Sequence, residues 1–242
     1  MPEFKFPTEE IDLPSKGLFY PSESPLSKGK VEIKYMTAKE EDILSNQSYI
    51  QKGTVLDKLL DSVIVTPDID HRDMVTGDKN AVLIATRILG YGKDYTFERD
   101  GRSHTIDLNS FEHVEFDPDT MINGNNEFSY KLPFSETEIT YKLLTGRDES
   151  KIEKEIAGIK RINKDANPEL STRLKYMITS VGGNTDTKTI REFVDNGLLA
   201  RDSRALRDEI RYKQPDVDLR YVLDSGEEVN VPIGLNFFWP DL

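Results

Sequence analysis

Two consecutive stretches decide the fold class: Asp78-Lys79-Asn80-Ala81-Val82-Leu83-Ile84-Ala85-Thr86-Arg87-Ile88-Leu89-Gly90, and then Tyr95-Thr96-Phe97-Glu98-Arg99-Asp100-Gly101-Arg102-Ser103-His104-Thr105-Ile106-Asp107-Leu108. The first carries Val82, Leu83, Ile84 and Ile88 as the apolar set of a helix, and Gly90 and Gly92 end it. The second places Asp-Gly between two segments of alternating polarity, a strong hairpin signal. A helix feeding an antiparallel hairpin points to an α+β protein.

The arrangement recurs near the other end. Asp202 reads as the cap of a helix running to about Lys213. A hairpin follows, with Leu219–Val222 and Val229–Ile233 as its arms and a turn beginning at Asp224. Ala81 then matches Ala205, Arg87 matches Arg211, and Asp94 matches Asp218. Helix–hairpin units are common, so coincidence stays open beside duplication. The expected architecture is α+β: helices with antiparallel β-hairpins, two related helix–hairpin halves, and a small sheet near 127–144 joining them. The boundaries read as an extended arm and loop over 1–30, a first half over 31–144 and a second half over 145–242.

Between these units, Val31–Tyr35 alternates as a short strand. Thr37-Ala38-Lys39-Glu40 is a capping box opening a helix. Val55–Val65 is amphipathic. Phe111–Phe116 alternates and could add a strand, and Asn123-Gly124-Asn125-Asn126 marks a turn. Phe128–Leu132 and Glu138–Leu143 read as paired strands. Thr145-Gly146-Arg147-Asp148 leads into a helix to Ile162. Another helix starts at Pro168, carries Leu170, Leu174, Met177 and Ile178, and ends at Gly182. Thr187–Asn196 is a short helix.

The N-terminal arm, Leu13-Pro14-Ser15-Lys16-Gly17-Leu18-Phe19-Tyr20-Pro21, fits neither element type. Pro14 pushes Leu13 toward an extended conformation, and Ser15-Lys16-Gly17 reads as a tight turn in which Gly17 can take positive φ. The far end, Asn236-Phe237-Phe238-Trp239-Pro240-Asp241-Leu242, carries three consecutive aromatics. Each buries about 150–250 Å² when covered. Read as an extended segment, it sends Phe237 and Trp239 to one surface and Phe238 to another. Two destinations are open for both ends: their own domain, or a groove on a neighbouring subunit. On the second reading, Leu13, Pro14, Ser15, Gly17, Phe19, Tyr20, Phe237, Phe238 and Trp239 are the partner-binding residues.

Composition narrows the function. The 242 residues carry a net charge of −12, with 36% apolar and 31% charged residues. A general nucleic-acid binder needs the opposite sign to neutralise phosphates, and an acidic chain favours a basic protein partner. The 11 Phe and 10 Tyr argue against disorder. With no cysteine there is no disulfide, no thiol nucleophile and no Cys-type zinc site. No apolar run reaches the roughly 18 residues of a membrane span, and no signal region opens the chain, so a cytoplasmic location is expected. No nucleophile–base pair stands out. His71, with Asp68, Asp70 and Asp73 nearby, is the best local cation cluster, but its spacing fails the calcium-loop pattern. No catalytic, cofactor or metal residue is therefore assigned, and no cofactor is expected.

The LPSKG arm over 13–17 and the closing FFWP over 237–240 resemble the ends of the baseplate hub and hub-assembly proteins of T4-like contractile-tailed bacteriophages. The middle of the chain resembles them too, at Lys58–Val63, Leu143–Glu149 and Ala200–Arg207. The resemblance implies a non-enzymatic structural or assembly component of a tail baseplate hub. Its partners would be other hub or spike proteins, with self-association open. It would assemble in the host bacterial cytoplasm and could remain in the virion tail. A transient tail-assembly chaperone is the alternative, and an enzyme whose site sequence does not reveal ranks below both. Related tail-assembly proteins often carry paired cysteines in these hairpins. Here the corresponding turns hold Glu98–Arg102 and Asp224–Glu228, so any metal role is lost.

Overall fold

Two Ser-Lys-Gly turns bring the first sheet together. Ser15-Lys16-Gly17 and Ser27-Lys28-Gly29 pack against each other so closely that a Cβ on Gly17 would lie 2.4 Å from the Ser27 carbonyl oxygen. Gly17 and Gly29 have φ of 79° and 70°, values that L side chains rarely adopt. The Leu13 amide donates to the Gly29 carbonyl at 2.8 Å. The flanking segments, β1 (Thr8–Asp12) and β2 (Lys30–Lys34), then pair antiparallel, with Thr8 opposite Lys34 and Asp12 opposite Lys30. The arm is thus a strand and turn of the body. The structure, a computed structural model, describes residues 7–114, 116–122, 125–223 and 225–238.

The capping box at Thr37 forms as expected and opens α1 (Ala38–Leu44). Next come α2 (Gln47–Gln51), α3 (Val55–Val63) and α4 (Thr76–Tyr91). Strands β3 (Asp94–Arg99) and β4 (Arg102–Asp107) form the first hairpin. Asp100 and Gly101 both take positive φ, 51° and 71°, as the tight two-residue turn requires. In the second half, β5 (Phe128–Lys131) and β6 (Glu138–Tyr141) pair as read from sequence. Then follow α5 (Gly146–Ile162), α6 (Glu169–Met177), β7 (Ile178–Val181), α7 (Thr187–Glu192) and α8 (Ala200–Lys213). Strands β8 (Arg220–Val222) and β9 (Glu228–Asn230) form the last hairpin, and one helical turn, α9 (Leu235–Phe238), closes the described chain. The fold is α+β: among the described residues, nine α-helices with two-stranded antiparallel hairpins and one three-stranded antiparallel sheet.

Four local expectations are corrected. The helix from Pro168 stops at Met177, and Ile178–Val181 is the third strand of the β5–β6–β7 sheet. The β-branched Ile178, Thr179 and Val181 suit a pleated surface, and the Thr140 hydroxyl bonds those of Thr179 and Ser180 at 2.6 and 2.8 Å. Phe111–Phe116 forms no named strand among its described residues; it makes a single bridge, His113 to Val217. Asp202 does not cap α8; it is the third helical residue and reaches away from the helix. The tail to Phe238 is helical, so its side chains do not alternate. Asn123, Gly124 and Asp224, expected in turns, lie outside the described residues.

The apolar side chains form two clusters. One gathers β1, β2, α1 to α4, the first hairpin and α9, with Leu13, Leu59, Leu60, Val82, Tyr95, Phe237 and Phe238 buried in it. The other gathers β5 to β7 and α6 to α8, with Phe128 and Tyr141 stacked at 5.3 Å and Phe19 reaching into it from the arm. The clusters do not follow the division expected at residue 144: Val75 and Phe128 to Leu143 belong with the second half, and Val217 to Phe238 with the first. The halves meet closely. A Cβ on Gly77, in the first turn of α4, would lie 1.9 Å from the Pro215 carbonyl oxygen.

Glu40, at the third position of α1, is fully buried. Burial pushes its carboxyl upward, but bonds from Lys34 Nζ at 2.8 Å, Ser62 Oγ at 2.6 Å and Thr37 outweigh it and hold the pKa at about 2, below the ordinary 4.5. A depressed acid contributes stability that is fully present above its unfolded pKa and lost as pH falls toward its folded one. Wild-type stability should therefore drop by on the order of 2–3 kcal/mol between pH 4.5 and 2 through this group. Glu40→Gln should be less stable at pH 7 and should lack that component of the slope. Urea unfolding across the range checks it.

Candidate functional site

The residues expected to dock on a neighbour lie at the two ends of the chain, and both ends converge on α4. At the first turn of α4 sits Asp78, fully buried. The Ser15 amide donates to its Oδ1 at 2.9 Å, and the Ser15 hydroxyl to its Oδ2 at 2.5 Å. The Tyr20 hydroxyl donates to Oδ2 and accepts from the Val75 amide at 3.1 Å. Ser15 Oγ also accepts from the Gly17 amide at 3.1 Å, so one carboxylate and one hydroxyl set the whole turn.

Electrostatics fit that role. Burial raises the Asp78 carboxyl above its usual range, and the bonds from Ser15 and Tyr20 oppose the shift. Burial, and then the neighbouring Asp78 charge, push the Tyr20 phenol far above its usual range, so it stays a donor. Glu40 has an ammonium beside it and moves the other way.

At the far end of α4, Arg87 is 2% exposed. Its Nε donates to the Phe237 carbonyl at 3.1 Å and its Nη1 to the Gly92 carbonyl at 2.9 Å. The Phe237 ring lies 5.0 Å from that of Tyr95 and meets Phe238 edge-on at 5.5 Å. Leu13, Ser15, Phe19, Phe237 and Phe238 are each under 7% exposed. Pro14 and Gly17 are buried too, and Tyr20 is half-buried. Of the two destinations open from sequence, the chain's own body takes these residues; Trp239 lies outside the described residues. The turn presents Lys16 and Leu18 outward, with Leu18 38% exposed. Sequence reasoning passed over both, although the turn at Lys16-Gly17 already implied that one face would point away from the core.

Beside His71, arginines take up Asp70 and Asp73. His71 is buried, with Nε2 3.1 Å from Asp61 Oδ1. Burial and the Lys79 charge depress its pKa, against the pull of Asp57 and Asp61. Asp70 accepts from Arg72 and Arg147, and Asp73 pairs with Arg147. Among the described residues no group of three or more His, Asp or Glu is placed to hold a metal ion, and no helix is long and apolar enough to cross a membrane. The hairpins meet at their tips, where Arg99 Nη2 donates to Glu227 Oε1 at 2.8 Å. Beside β3 a cleft of 660 Å³ opens toward the corner between α1 and α2. Compared with protein-family models, curated proteins and solved structures, the chain matches none.

Two sets of variants test these anchor points. Asp78→Ala leaves three buried donors without their acceptor and should destabilise the chain by about 2–4 kcal/mol. Asp78→Asn keeps an acceptor and should cost less, and Ser15→Ala less again. Phe238→Ala opens a cavity in the first core and should cost about 3–5 kcal/mol. Thermal and urea unfolding give the ranking. A Phe238→Ala chain as stable as wild type would show that the tail is not core.

Proposed function

We propose that this chain is a non-enzymatic structural or assembly component of a contractile-tail baseplate hub, and that it binds neighbouring hub proteins through surfaces its buried ends hold in place. The observation that carries the reading is the convergence of both motif-bearing ends on α4. Ser15 of the LPSKG turn is bonded to Asp78, and Phe237 to Arg87, on one helix. Two end segments that both carry the resemblance make sense if they form one structural unit. Here they do so through specific polar bonds.

The reading shifts the contact from the residues first expected to those beside them. A side chain filling its own core is not available to a neighbour. The outward face of the turn, Lys16 and Leu18, is available, and Asp78 and the packed glycines fix its position. The net charge of −12 adds a preference for a basic partner.

Size-exclusion chromatography with light scattering, on the chain alone and mixed with purified hub proteins, tests the proposal. The expected result is a defined complex with one of them. Leu18→Asp should abolish that complex with no more than about 0.5 kcal/mol lost in stability, as for a surface substitution. If no hub protein shifts the elution of a folded chain, the proposal fails. Mass spectrometry of purified virions then separates a resident component from a transient assembly factor.

A further inference from the structure

The two halves treat one pair of arginines differently. Arg87 and Arg211 each stand nine residues after a buried aspartate, Asp78 in α4 and Asp202 in α8. Arg87 is buried and spent on backbone carbonyls, that of Phe237 among them. Arg211 is exposed, and among the described residues no hydrogen bond or ion pair engages its guanidinium. With Arg207 and Gln214 it borders a cavity of 310 Å³ over a floor of Val114, Met177 and Ile210. We propose that this cavity is a docking site for an acidic, aromatic segment of a partner polypeptide, with one ring on the apolar floor and one carboxylate between Arg207 and Arg211. The inference goes beyond the proposed function and does not rest on it.

The first half shows what such a place takes. The chain that leaves each hairpin packs beside the helix of the opposite half. Leaving the second hairpin, it brings Phe237 and Phe238 to the end of α4, where Arg87 bonds the Phe237 carbonyl. Leaving the first, it runs beside the residues that follow α8. There the Val114 amide donates to the Asp216 carbonyl at 2.7 Å, and the Asp218 amide to the Glu112 carbonyl at 2.8 Å. Counted from Asp78 and from Asp202, Val114 holds the position of Phe238. The phenylalanine fills its seat to 0% exposure. The smaller valine leaves the other seat open, with an arginine free beside it.

Chemistry defines the occupant. Positions 207, 211 and 214 follow one another along one face of α8, with Ile210 beside them. Two guanidiniums four residues apart can hold a carboxylate by charge-assisted bonds. Among the described residues Arg207 makes one weak bond, from Nε to the Ser203 carbonyl at 3.3 Å, and keeps its terminal nitrogens for a ligand. Nearby acids are engaged elsewhere. Asp216 Oδ1 accepts from Asn80 Nδ2 at 3.0 Å, across in the first half, and burial raises that carboxyl above its usual range. Glu209 faces the Tyr141 hydroxyl at 3.5 Å. The cavity lies at the small end of the roughly 300–1,000 Å³ range of binding sites, a space for one side chain.

Two probes that differ in charge test the proposal: N-acetyl-Phe-Asp-amide and N-acetyl-Phe-Asn-amide, titrated into the full chain and followed by ¹H–¹⁵N NMR. The Phe-Asp probe should shift the amides of Val114, Met177, Ile210 and Arg211 saturably, with a Kd in the millimolar range. The Phe-Asn probe should bind about ten-fold more weakly, and Arg211→Gln should weaken the Phe-Asp probe by a similar factor. Val114→Phe, which supplies the missing ring in cis, should keep the circular dichroism spectrum and block the probe. Absence of saturable shifts overturns the proposal. So do shifts centred elsewhere, equal affinity for the two probes, or wild-type affinity in a folded Arg211→Gln or Val114→Phe chain. If Val114→Phe does not fold, Arg211→Gln decides, since it alters an exposed side chain. A dimer that shifts the same amides without any probe makes a second copy the occupant and likewise overturns it. The titration needs no hub protein, so its failure is distinct from failure of the hub reading.

Discussion

Two buried aspartates hold the two halves of this molecule in the same way. Asp78 is the third residue of α4, and Asp202 the third residue of α8. Neither caps its own helix. Each reaches across to a turn that begins with Leu-Pro and accepts the amide of the residue after the proline: Ser15 to Asp78 at 2.9 Å, and Phe134 to Asp202 at 2.9 Å. The second oxygen of Asp202 takes the Ser135 amide at 3.0 Å. Each turn also contains a non-glycine residue with positive φ, Lys16 at 52° and Glu136 at 54°. Such a backbone carries strain of about 1–3 kcal/mol and persists only where its surroundings hold it. The carboxylate supplies that hold, and buried unsatisfied amides would be the consequence of its loss.

The correspondence runs further along the chain. Lys34 reaches Glu40 six residues on, and Lys142 reaches Asp148 six residues on, at 2.8 and 2.7 Å. In both cases the acid is the third residue of a helix and closes a capping box. Each half therefore runs in one order: strand, Leu-Pro turn, strand, lysine-paired capping box, helix with a gripping aspartate, hairpin. The repeat visible in sequence was confined to the last two of these. The polar bonds extend the correspondence to the whole half.

What was legible followed from local rules. The capping box at Thr37, the Asp-Gly turn at Asp100-Gly101 and the amphipathic stripes of α3 and α4 depend on neighbours within a few residues, and they stand where they were read. What failed depended on distant partners. Ile178 to Val181 continues a helical pattern until β6 offers it a ladder. Asp202 looks like a cap until Phe134 and Ser135, far away in sequence, claim its oxygens. The second Ser-Lys-Gly, at Ser27 to Gly29, was in plain view, but its meaning needed the contact between Gly17 and Gly29. The candidate site was legible as a list of unusual residues and not as an orientation. Burial divides neighbouring residues, Ser15 from Lys16 and Phe19 from Leu18, and a stretch of such mixed polarity carries no period that would assign them.

That division has a consequence for any partner. A motif whose apolar members are consumed by the fold cannot also lend them to a neighbour, because the same area cannot be removed from water twice. What such a motif can lend is position. Asp78, the glycine pair and Pro14 constrain the turn from within, so the backbone carrying Lys16 and Leu18 is already ordered before a partner arrives. Ordering a loop on binding costs about 0.5–1.5 kcal/mol for each rotamer-rich side chain immobilised. A turn fixed beforehand leaves only the side chains themselves to be ordered. On this reasoning the buried carboxylate holds the strained turn in place, and what it would offer a partner is an ordered, outward-facing tip.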